Sequence, residues 1–173
     1  MLEKYNRYRV LKVFLDSPTE GFGLREISRL AKLAPASVLN YLDEFEKKDI
    51  IKKLQMRGWP VYKAQRENED FIFYKKVSIL YELHSSGLIE HLWQKLAPQA
   101  LILYGSSAKG ESTEESDLDI FVIGKEKKIN LEEFEKKINK GIHLMFDDAK
   151  NIPNELKNSL INGIVLKGYF KVF

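Results

Sequence analysis

Hydrophobic positions in the first third of the chain recur at helical spacing in three separate stretches. They are Tyr8, Leu11, Val13, Phe14 and Leu15, then Leu24, Ile27, Leu30 and Ala31, and finally Val38, Leu42 and Phe45. Residues 16–21 separate the first two stretches, and Ala34-Pro35 separates the last two. Spacings of three and four residues place each set on one face of a helix. The pattern predicts three helices, the last two joined by a tight turn.

Two strand-like runs, at 51–55 and 59–64, follow the third helix. Arg57-Gly58 lies between them, and a short turn that contains glycine between two such runs predicts a β-hairpin. A helix-turn-helix followed by a hairpin is the arrangement of a winged helix, which we predict for residues 1–68.

Residues 69–97 are rich in aromatic and aliphatic side chains at mixed helical spacing, with one interruption at Ser85-Ser86-Gly87. This pattern predicts a linker of two helices. We expect its aromatic residues to fill a core or a seam between domains rather than to stack on bases.

Strand and helix patterns alternate over residues 98–173. We expect Asn130 to cap a helix, with Glu133 at the capping-box position and the end of the helix near Gly141. A strand at 142–146, a helix at 153–160 that opens with Pro153, and an extended segment at 164–173 follow. The predicted class is α+β: a winged helix-turn-helix, a helical linker, and a C-terminal α/β domain with a mixed sheet.

The composition indicates where in the cell the protein is expected, but it says little about its function. The chain has a net charge of +3, no cysteine, and no run that approaches the ~20 apolar residues of a membrane span. We therefore expect a soluble, cytoplasmic protein with no membrane partner. The location of charge is more informative, because basic residues cluster after the third helix. They are Lys47, Lys48, Lys52, Lys53, Arg57, Lys63 and Arg66.

A winged helix on a duplex presents the N-terminal half of its third helix to base edges. Ser37, Asn40 and Tyr41 occupy these positions. Arg57 and Lys63 are the candidates for phosphate contacts. The third helix is also acidic, with Asp43, Glu44 and Glu46. A solvated face or a dimer contact is therefore the alternative, and winged-helix regulators often form homodimers.

The clearest chemical pattern lies between residues 101 and 123. A strand ends at Gly105-Ser106, and Asp117 and Asp119 follow with one apolar residue between them. In an extended strand, side chains two positions apart project from the same face, so the two carboxylates can hold divalent cations together. Glycine permits a close approach of backbone to phosphate, and the start of a helix favours anions. The pattern predicts a metal and triphosphate site.

The runs Gly105-Ser106-Ser107-Ala108-Lys109-Gly110 and Ser116-Asp117-Leu118-Asp119-Ile120 resemble the motif of the nucleotidyltransferase superfamily typified by DNA polymerase beta. The similarity is greatest to the minimal nucleotidyltransferases and covers roughly residues 97–167. A winged helix ahead of such a domain is similar to an arrangement seen in archaeal proteins.

The resemblance implies transfer of a nucleoside monophosphate from a nucleoside triphosphate (NTP) to a hydroxyl group. It implies that Asp117 and Asp119 bind two Mg²⁺ (or Mn²⁺) ions, that Gly105 and Ser106 bind phosphates, and that Lys109 neutralises charge on the leaving group. The acceptor would be DNA, RNA or a protein.

The chain departs from the family at the third carboxylate, whose expected strand position is occupied by His143. An imidazole can act as a base near neutral pH and can bind Mn²⁺, but it is a poor ligand for Mg²⁺. Asp147 shares the face of His143 but lies about 13 Å along the strand. Ser107 replaces an arginine common in the minimal enzymes.

Three functions remain open at this point. One is an enzyme with catalytic Asp117, Asp119 and His143. The second is a DNA-binding regulator whose degenerate second domain only binds nucleotide or metal, and the third is an antitoxin-like partner of another protein.

Overall fold

The computed structural model describes residues 2–56, 58–147 and 154–169. The chain divides into two compact units, Met1–Ser78 and Ile79–Phe173. Within the described ranges, no helix has the length and apolar character that crossing a bilayer requires.

The first unit contains three helices and a small antiparallel sheet. After a short 3₁₀ turn (Leu2–Lys4), its elements are α1 (Asn6–Asp16), β1 (Gly21–Phe22), α2 (Leu24–Ala31), α3 (Pro35–Lys47), β2 (Ile51–Met56), β3 (Trp59–Ala64) and the first part of α4 (Glu69–Ser85). The strand order is β1-β3-β2. The three predicted helices and the hairpin lie where the pattern placed them, while the two-residue β1 is too short to leave a periodic signal. Pro35 opens α3, where its missing N–H costs no hydrogen bond.

The core of the first unit lies between the helices and the sheet, and its central side chains have no solvent exposure. They include Val10, Phe14, Ile27, Val38, Leu42 and Phe45. Two polar contacts hold the start of α4 to α1. The buried Lys75 ammonium donates to the Leu15 carbonyl, and the hydroxyls of Tyr8 and Ser78 are 2.8 Å apart. These contacts explain why the first unit extends into the segment predicted as a linker. The domain boundaries at 68 and 97 stay predictions.

The second unit contains a four-stranded sheet with helices on both faces. Its elements after α4 are α5 (Leu88–Leu96), β4 (Ala100–Tyr104), α6 (Gly105–Lys109), β5 (Leu118–Ile123), α7 (Glu132–Ile138), β6 (Ile142–Asp147), α8 (Asn154–Ile161) and β7 (Ile164–Gly168). The strand order is β6-β5-β4-β7. β5 and β6 are parallel, and the other two pairs are antiparallel. The predicted α+β class and mixed sheet are confirmed.

Both faces of the central strands β4 and β5 are buried, which explains the apolar run from Ile120 to Ile123 in β5. Leu118, Ile120 and Val122 pack in a core with α5 and α7, and Phe121 and Ile123 pack in a second core with α8. A strand buried on both faces shows no alternation of polar and apolar residues. The polar side chains of this unit therefore concentrate at the ends of the strands.

The boundaries of α7 differ from the prediction. The helix ends at Ile138, not near Gly141, because Asn139 adopts the left-handed conformation (φ 56°) that terminates helices. The N-cap is Leu131 and not Asn130, which lies one residue earlier and accepts a hydrogen bond from the Glu132 amide. Glu133 instead forms an ion pair with Lys137. Pro153 and residues 170–173 lie outside the described residues.

An ion pair between Glu90 of α5 and Lys167 of β7 links a helix to the edge of the sheet. The hydrogen bond from Lys167 lowers the pKa of Glu90 below its usual value of 4.5. The folded state therefore gains stability from this pair above pH 4.5 and loses it as the pH falls through the lowered pKa. We expect Glu90→Gln to lower the melting temperature slightly at neutral pH and to have no effect at pH well below 4.5.

Melting curves across this pH range test that expectation. Glu126→Gln, on the exposed loop after β5, changes the net charge equally and serves as the control. A Glu90→Gln deficit that persists unchanged in acid would show that the effect is not due to the ionised carboxylate.

Candidate functional site

The candidate residues lie together where adjacent strands of the sheet begin or end. Asp119 lies opposite Tyr104 of β4 on one side and opposite His143 of β6 on the other. β4 ends at this point, whereas β5 and β6 begin there. Residues that are far apart in the sequence thus become neighbours of Asp119.

The turn from β4 into α6 requires glycine at position 105. Gly105 has φ +70°, a conformation that side chains disfavour. A Cβ atom at this position would also lie 2.8 Å from Oδ2 of Asp119. The Asp119 carboxylate therefore rests directly against the backbone of the turn, which brings the predicted metal ligand and the predicted phosphate loop together.

The short helix α6 presents its residues unequally. Ser106 is half-buried in the first turn, and Lys109 is exposed at the last position. Ser107 is 1% exposed, and its hydroxyl donates to the Asp117 carbonyl at 3.4 Å. An arginine side chain would not fit in the buried position that Ser107 occupies. The serine that departs from the family pattern thus holds α6 to the residue before β5.

Asp117 lies one residue before β5, which begins at Leu118. The expectation that both aspartates belong to the strand is therefore wrong for Asp117. Its carboxylate is exposed, and Oδ1 contacts Gly141, where any Cβ atom would overlap it. The Leu118 amide donates to the Gly141 carbonyl at 2.9 Å. The residue before β6 thus packs against Asp117, while Asp119 faces Gly105 and His143.

Lys140 holds the loop that delivers Asp117. Its ammonium donates to the carbonyls of Thr113 and Ser116, at 2.7 and 3.0 Å. The same loop is closed by the Thr113 amide, which donates to Ser116 Oγ at 2.9 Å. Sequence reasoning missed Lys140, because a lysine after a helix end carries no signal of a partner 24 residues away.

His143 and Asp119 are in direct contact. Nδ1 of His143 lies 3.4 Å from Oδ1 of Asp119, and the imidazole side chain is 61% exposed. Asp147 lies at the other end of β6, opposite Ile123, as its distance along the strand predicted. The structure thus brings His143 to Asp119 and places Asp147 at the opposite end of the strand.

Tyr104 is a neighbour of Asp119 that sequence reasoning did not single out. Burial, and secondly the negative charge of Asp119, raise the pKa of its phenol above the usual 10.0. The ring also packs edge-on against Phe121, with centroids 6.5 Å apart. Tyr104 therefore stays protonated at neutral pH. Its position as the last strand residue before a glycine is the signal that could have identified it.

The possible metal ligands near Asp119 do not all converge on one point. No group of three His, Cys, Asp or Glu side chains in the described part of the chain converges on a common point. Asp119 and His143 form one close pair, and the Asp117 carboxylate lies nearby against Gly141. The two carboxylates and the imidazole are of types that bind divalent cations, but only Asp119 and His143 are in contact.

The residues of the first unit that are candidates for nucleic-acid contacts differ in their solvent exposure. Ser37 and Asn40 are exposed on α3, whereas Tyr41 is half-buried and packs against the core. Lys63 of β3 lies opposite Lys52 of β2. Arg57 lies outside the described residues. Among the acidic residues of α3, Glu44 forms an ion pair with Arg7 at 2.8 Å.

The contact between Gly105 and Asp119 predicts an unusual cost for an alanine at position 105. Gly87 also has a positive φ, +83°, but a Cβ atom there would meet nothing within 4 Å. We expect Gly87→Ala to destabilise the protein by about 1 kcal/mol from backbone strain alone. Gly105→Ala should cost somewhat more, because the Asp119 side chain must also rotate away from the added Cβ atom.

Urea unfolding of both variants measures the difference. In an Asp119→Ala background the excess cost of Gly105→Ala should disappear, as a double-mutant cycle requires of two residues in contact. Equal costs for the two alanines in the wild-type background would contradict the contact.

Comparison with known families agrees with this geometry. Residues 87–169 match the family model described as "Polymerase beta, Nucleotidyltransferase". The matched segment contains Gly105, Asp117, Asp119 and His143. No curated protein matches the chain. The match supports the nucleotidyltransferase superfamily for this segment, and the second unit is nucleotidyltransferase-like.

Proposed function

We propose that the protein is a metal-dependent nucleotidyltransferase. It transfers a nucleoside monophosphate from an NTP to a hydroxyl group of a nucleic acid or a protein and releases pyrophosphate. One observation carries the proposal. The Asp119 carboxylate rests against the Gly105 turn through Oδ2 and against His143 through Oδ1. These contacts place a predicted metal ligand beside the turn that is predicted to bind phosphate, which supports nucleotidyl transfer.

The Gly105 turn and α6 form the triphosphate side of the site. Gly105 has no side chain to obstruct a phosphate, and the Ser106 hydroxyl and amide lie at the helix start, where the backbone favours anions. Lys109, exposed at the other end of the five-residue helix, supplies a positive charge for the departing pyrophosphate.

Asp117 and Asp119 would hold the divalent cation, Mg²⁺ or Mn²⁺. When bound, such a cation neutralises phosphate charge and lowers the pKa of the attacking hydroxyl. The protein supplies the fixed positions of the two carboxylates. Lys140 and Ser107 hold the segment before β5, and the ladder between β5 and β6 holds Asp119.

His143 is placed to receive the proton of the acceptor hydroxyl. Asp119 contacts Nδ1 and orients the ring, so Nε2 is left for the substrate. As the acceptor oxygen bonds to the α-phosphorus, the bond from that phosphorus to the bridging oxygen of pyrophosphate breaks. The hydroxyl proton passes to Nε2, and the electron pair of the broken bond leaves with pyrophosphate.

The first unit acts in this proposal as a winged helix that docks nucleic acid. The tightly joined α2 and α3 correspond to its helix-turn-helix, and β2 and β3 to its wing. The exposed Ser37 and Asn40 on α3 are available for base edges, and Lys52 and Lys63 for phosphates. The ion pair between Arg7 and Glu44 neutralises part of the acidic face of α3.

A second candidate function is a DNA-binding regulator whose second unit binds nucleotide or metal without transfer. The position of His143 favours it, because the strand neighbour of Asp119 on β6 is an imidazole and not a third carboxylate.

Incubation of the protein with α-labelled NTPs and mixed RNA, DNA and protein acceptors tests the enzyme. We expect transfer of label in the presence of Mg²⁺ or Mn²⁺. Asp119→Asn should reduce the rate by about 100-fold or more. His143→Gln, which removes the proposed proton acceptor, should also reduce the rate.

Asp147→Asn is the matched control, because it makes the same charge change at the other end of β6. Its transfer rate should equal that of the wild type. Calorimetric binding of NTP without transfer would favour the regulator, and the absence of both binding and transfer would exclude both functions of the second unit.

Docking of nucleic acid predicts binding that weakens steeply with salt, because bound lysines release counterions. In mobility-shift assays over a salt series, Lys52→Gln with Lys63→Gln should lower affinity and reduce the slope of log K against log salt by about 0.7 to 0.9 per lost contact. Lys125→Gln with Lys128→Gln removes the same charge from an exposed loop of the second unit and should change neither quantity. Binding that does not depend on salt would favour a protein partner.

A further inference from the structure

The tip of the β2–β3 hairpin exposes two apolar side chains. Trp59 is 75% exposed and Met56 is 56% exposed, and no large hydrophobic side chain in the described ranges is more exposed than Trp59. The two residues are directly paired in the hairpin. An indole that is 75% exposed contributes little to the folded core, and most of its aromatic surface is available to a ligand.

The register of the hairpin places Trp59 on the same face as two opposed lysines. Met56 pairs with Trp59, Leu54 with Val61, and Lys52 with Lys63. Because side chains alternate along a strand, these three pairs share one face. The face therefore runs from a lysine pair through an aliphatic pair to the Met56–Trp59 tip, and we call it the wing face.

The lysine pair indicates the charge of the ligand. Like charges directly opposite each other destabilise an antiparallel pair. Across the described residues, neither Lys52 nor Lys63 has a carboxylate within ion-pair distance. A polyanion that lies along the wing face would remove this repulsion.

The hairpin holds Trp59 in a defined position. Six residue pairs, from Ile51↔Ala64 to Met56↔Trp59, support it. Gly58, with φ +80°, provides the left-handed conformation of the turn. Trp59 belongs to the strand and not to the loop. The backbone at Trp59 is therefore already ordered and loses little conformational entropy when the indole binds.

We propose that Trp59 stacks on an unpaired base of a single-stranded nucleic acid whose phosphates contact Lys52 and Lys63. The proposal rests on the nucleic-acid docking proposed above for the first unit, and it names the form that the wing recognises. Every base has an aromatic face that an indole can cover. A base within a duplex is already stacked and must first be unstacked, so an unpaired segment is preferred.

The exposed apolar area also argues against a protein partner on this face. Specific protein interfaces bury about 800 Å² on each side. One tryptophan and one methionine beside two lysines provide a narrow stripe, whereas stacking of a single base needs no more than this.

Tryptophan fluorescence provides a direct test, because the chain has two tryptophans, Trp59 and Trp93. Trp93→Phe leaves Trp59 as the reporter. Titration with an oligothymidine of about 12 nucleotides should quench its emission to saturation, since single-strand sites span ~4–16 nucleotides. Trp59→Phe, in which Trp93 reports alone from the second unit, is the matched control and should show no change.

Binding measurements separate stacking from charge. Trp59→Ala should weaken binding of the oligothymidine about 10-fold, leave the salt slope unchanged, and hardly affect a duplex of equal length. Trp59→Phe should retain most of the affinity, because phenylalanine still stacks. Lys52→Gln should instead reduce the salt slope by about 0.7.

The outcomes distinguish this proposal from the docking function on which it rests. If the protein binds nucleic acid and Trp59→Ala binds the single strand as well as the wild type does, stacking is overturned and docking stands. If it binds no nucleic acid, both fail. Emission of Trp59 that responds to anionic lipid vesicles and not to oligothymidine would also overturn stacking, in favour of a membrane surface.

Discussion

The close contact between the Asp119 carboxylate and the Gly105 turn is the constraint on which the candidate site depends. At Gly105 the chain leaves β4, turns into α6 and passes beside the Asp119 carboxylate. Glycine allows this because it adopts a positive φ and has no Cβ atom to contact the carboxylate. The pairing of β5 with β4 and β6 fixes Asp119 between Tyr104 and His143. Strand pairing therefore places the turn, the aromatic residue and the imidazole around the Asp119 side chain.

Because β4 and β5 are buried on both faces, the polar side chains of the candidate site lie at the ends of these strands. The apolar strands β4 and β5 have no solvated face on which a charged group could lie without a large desolvation cost. Polar side chains are tolerated where strands begin or end, and backbone groups there also lack ladder partners. Lys140 and Ser107 use such carbonyl groups to hold the loop before β5.

The two units present different kinds of surface to a ligand. The second unit offers carboxylates beside a glycine turn, which suits a metal–nucleotide complex. The first offers lysines on a rigid hairpin, with Trp59 at its tip, and a helix whose acidic residue Glu44 is neutralised by Arg7. Lysines without carboxylate partners attract a phosphate backbone over distances of about 10 Å at moderate salt. These surfaces are the basis of the proposal that the first unit holds a nucleic acid and the second unit a nucleotide.

The sequence by itself determined the elements that have a local cause. Helical periodicity marked α1 to α3, glycine marked the turns at 58 and 105, and the spacing of Asp117 and Asp119 led to the prediction of a metal and triphosphate site. Only the tertiary structure decided which strands are neighbours, because strand order follows from the packing of apolar faces over long sequence separations. It therefore decided that His143 contacts Asp119, that Tyr104 borders the site, and that Lys140 supports a loop 24 residues away. These contacts join residues that are far apart in the sequence.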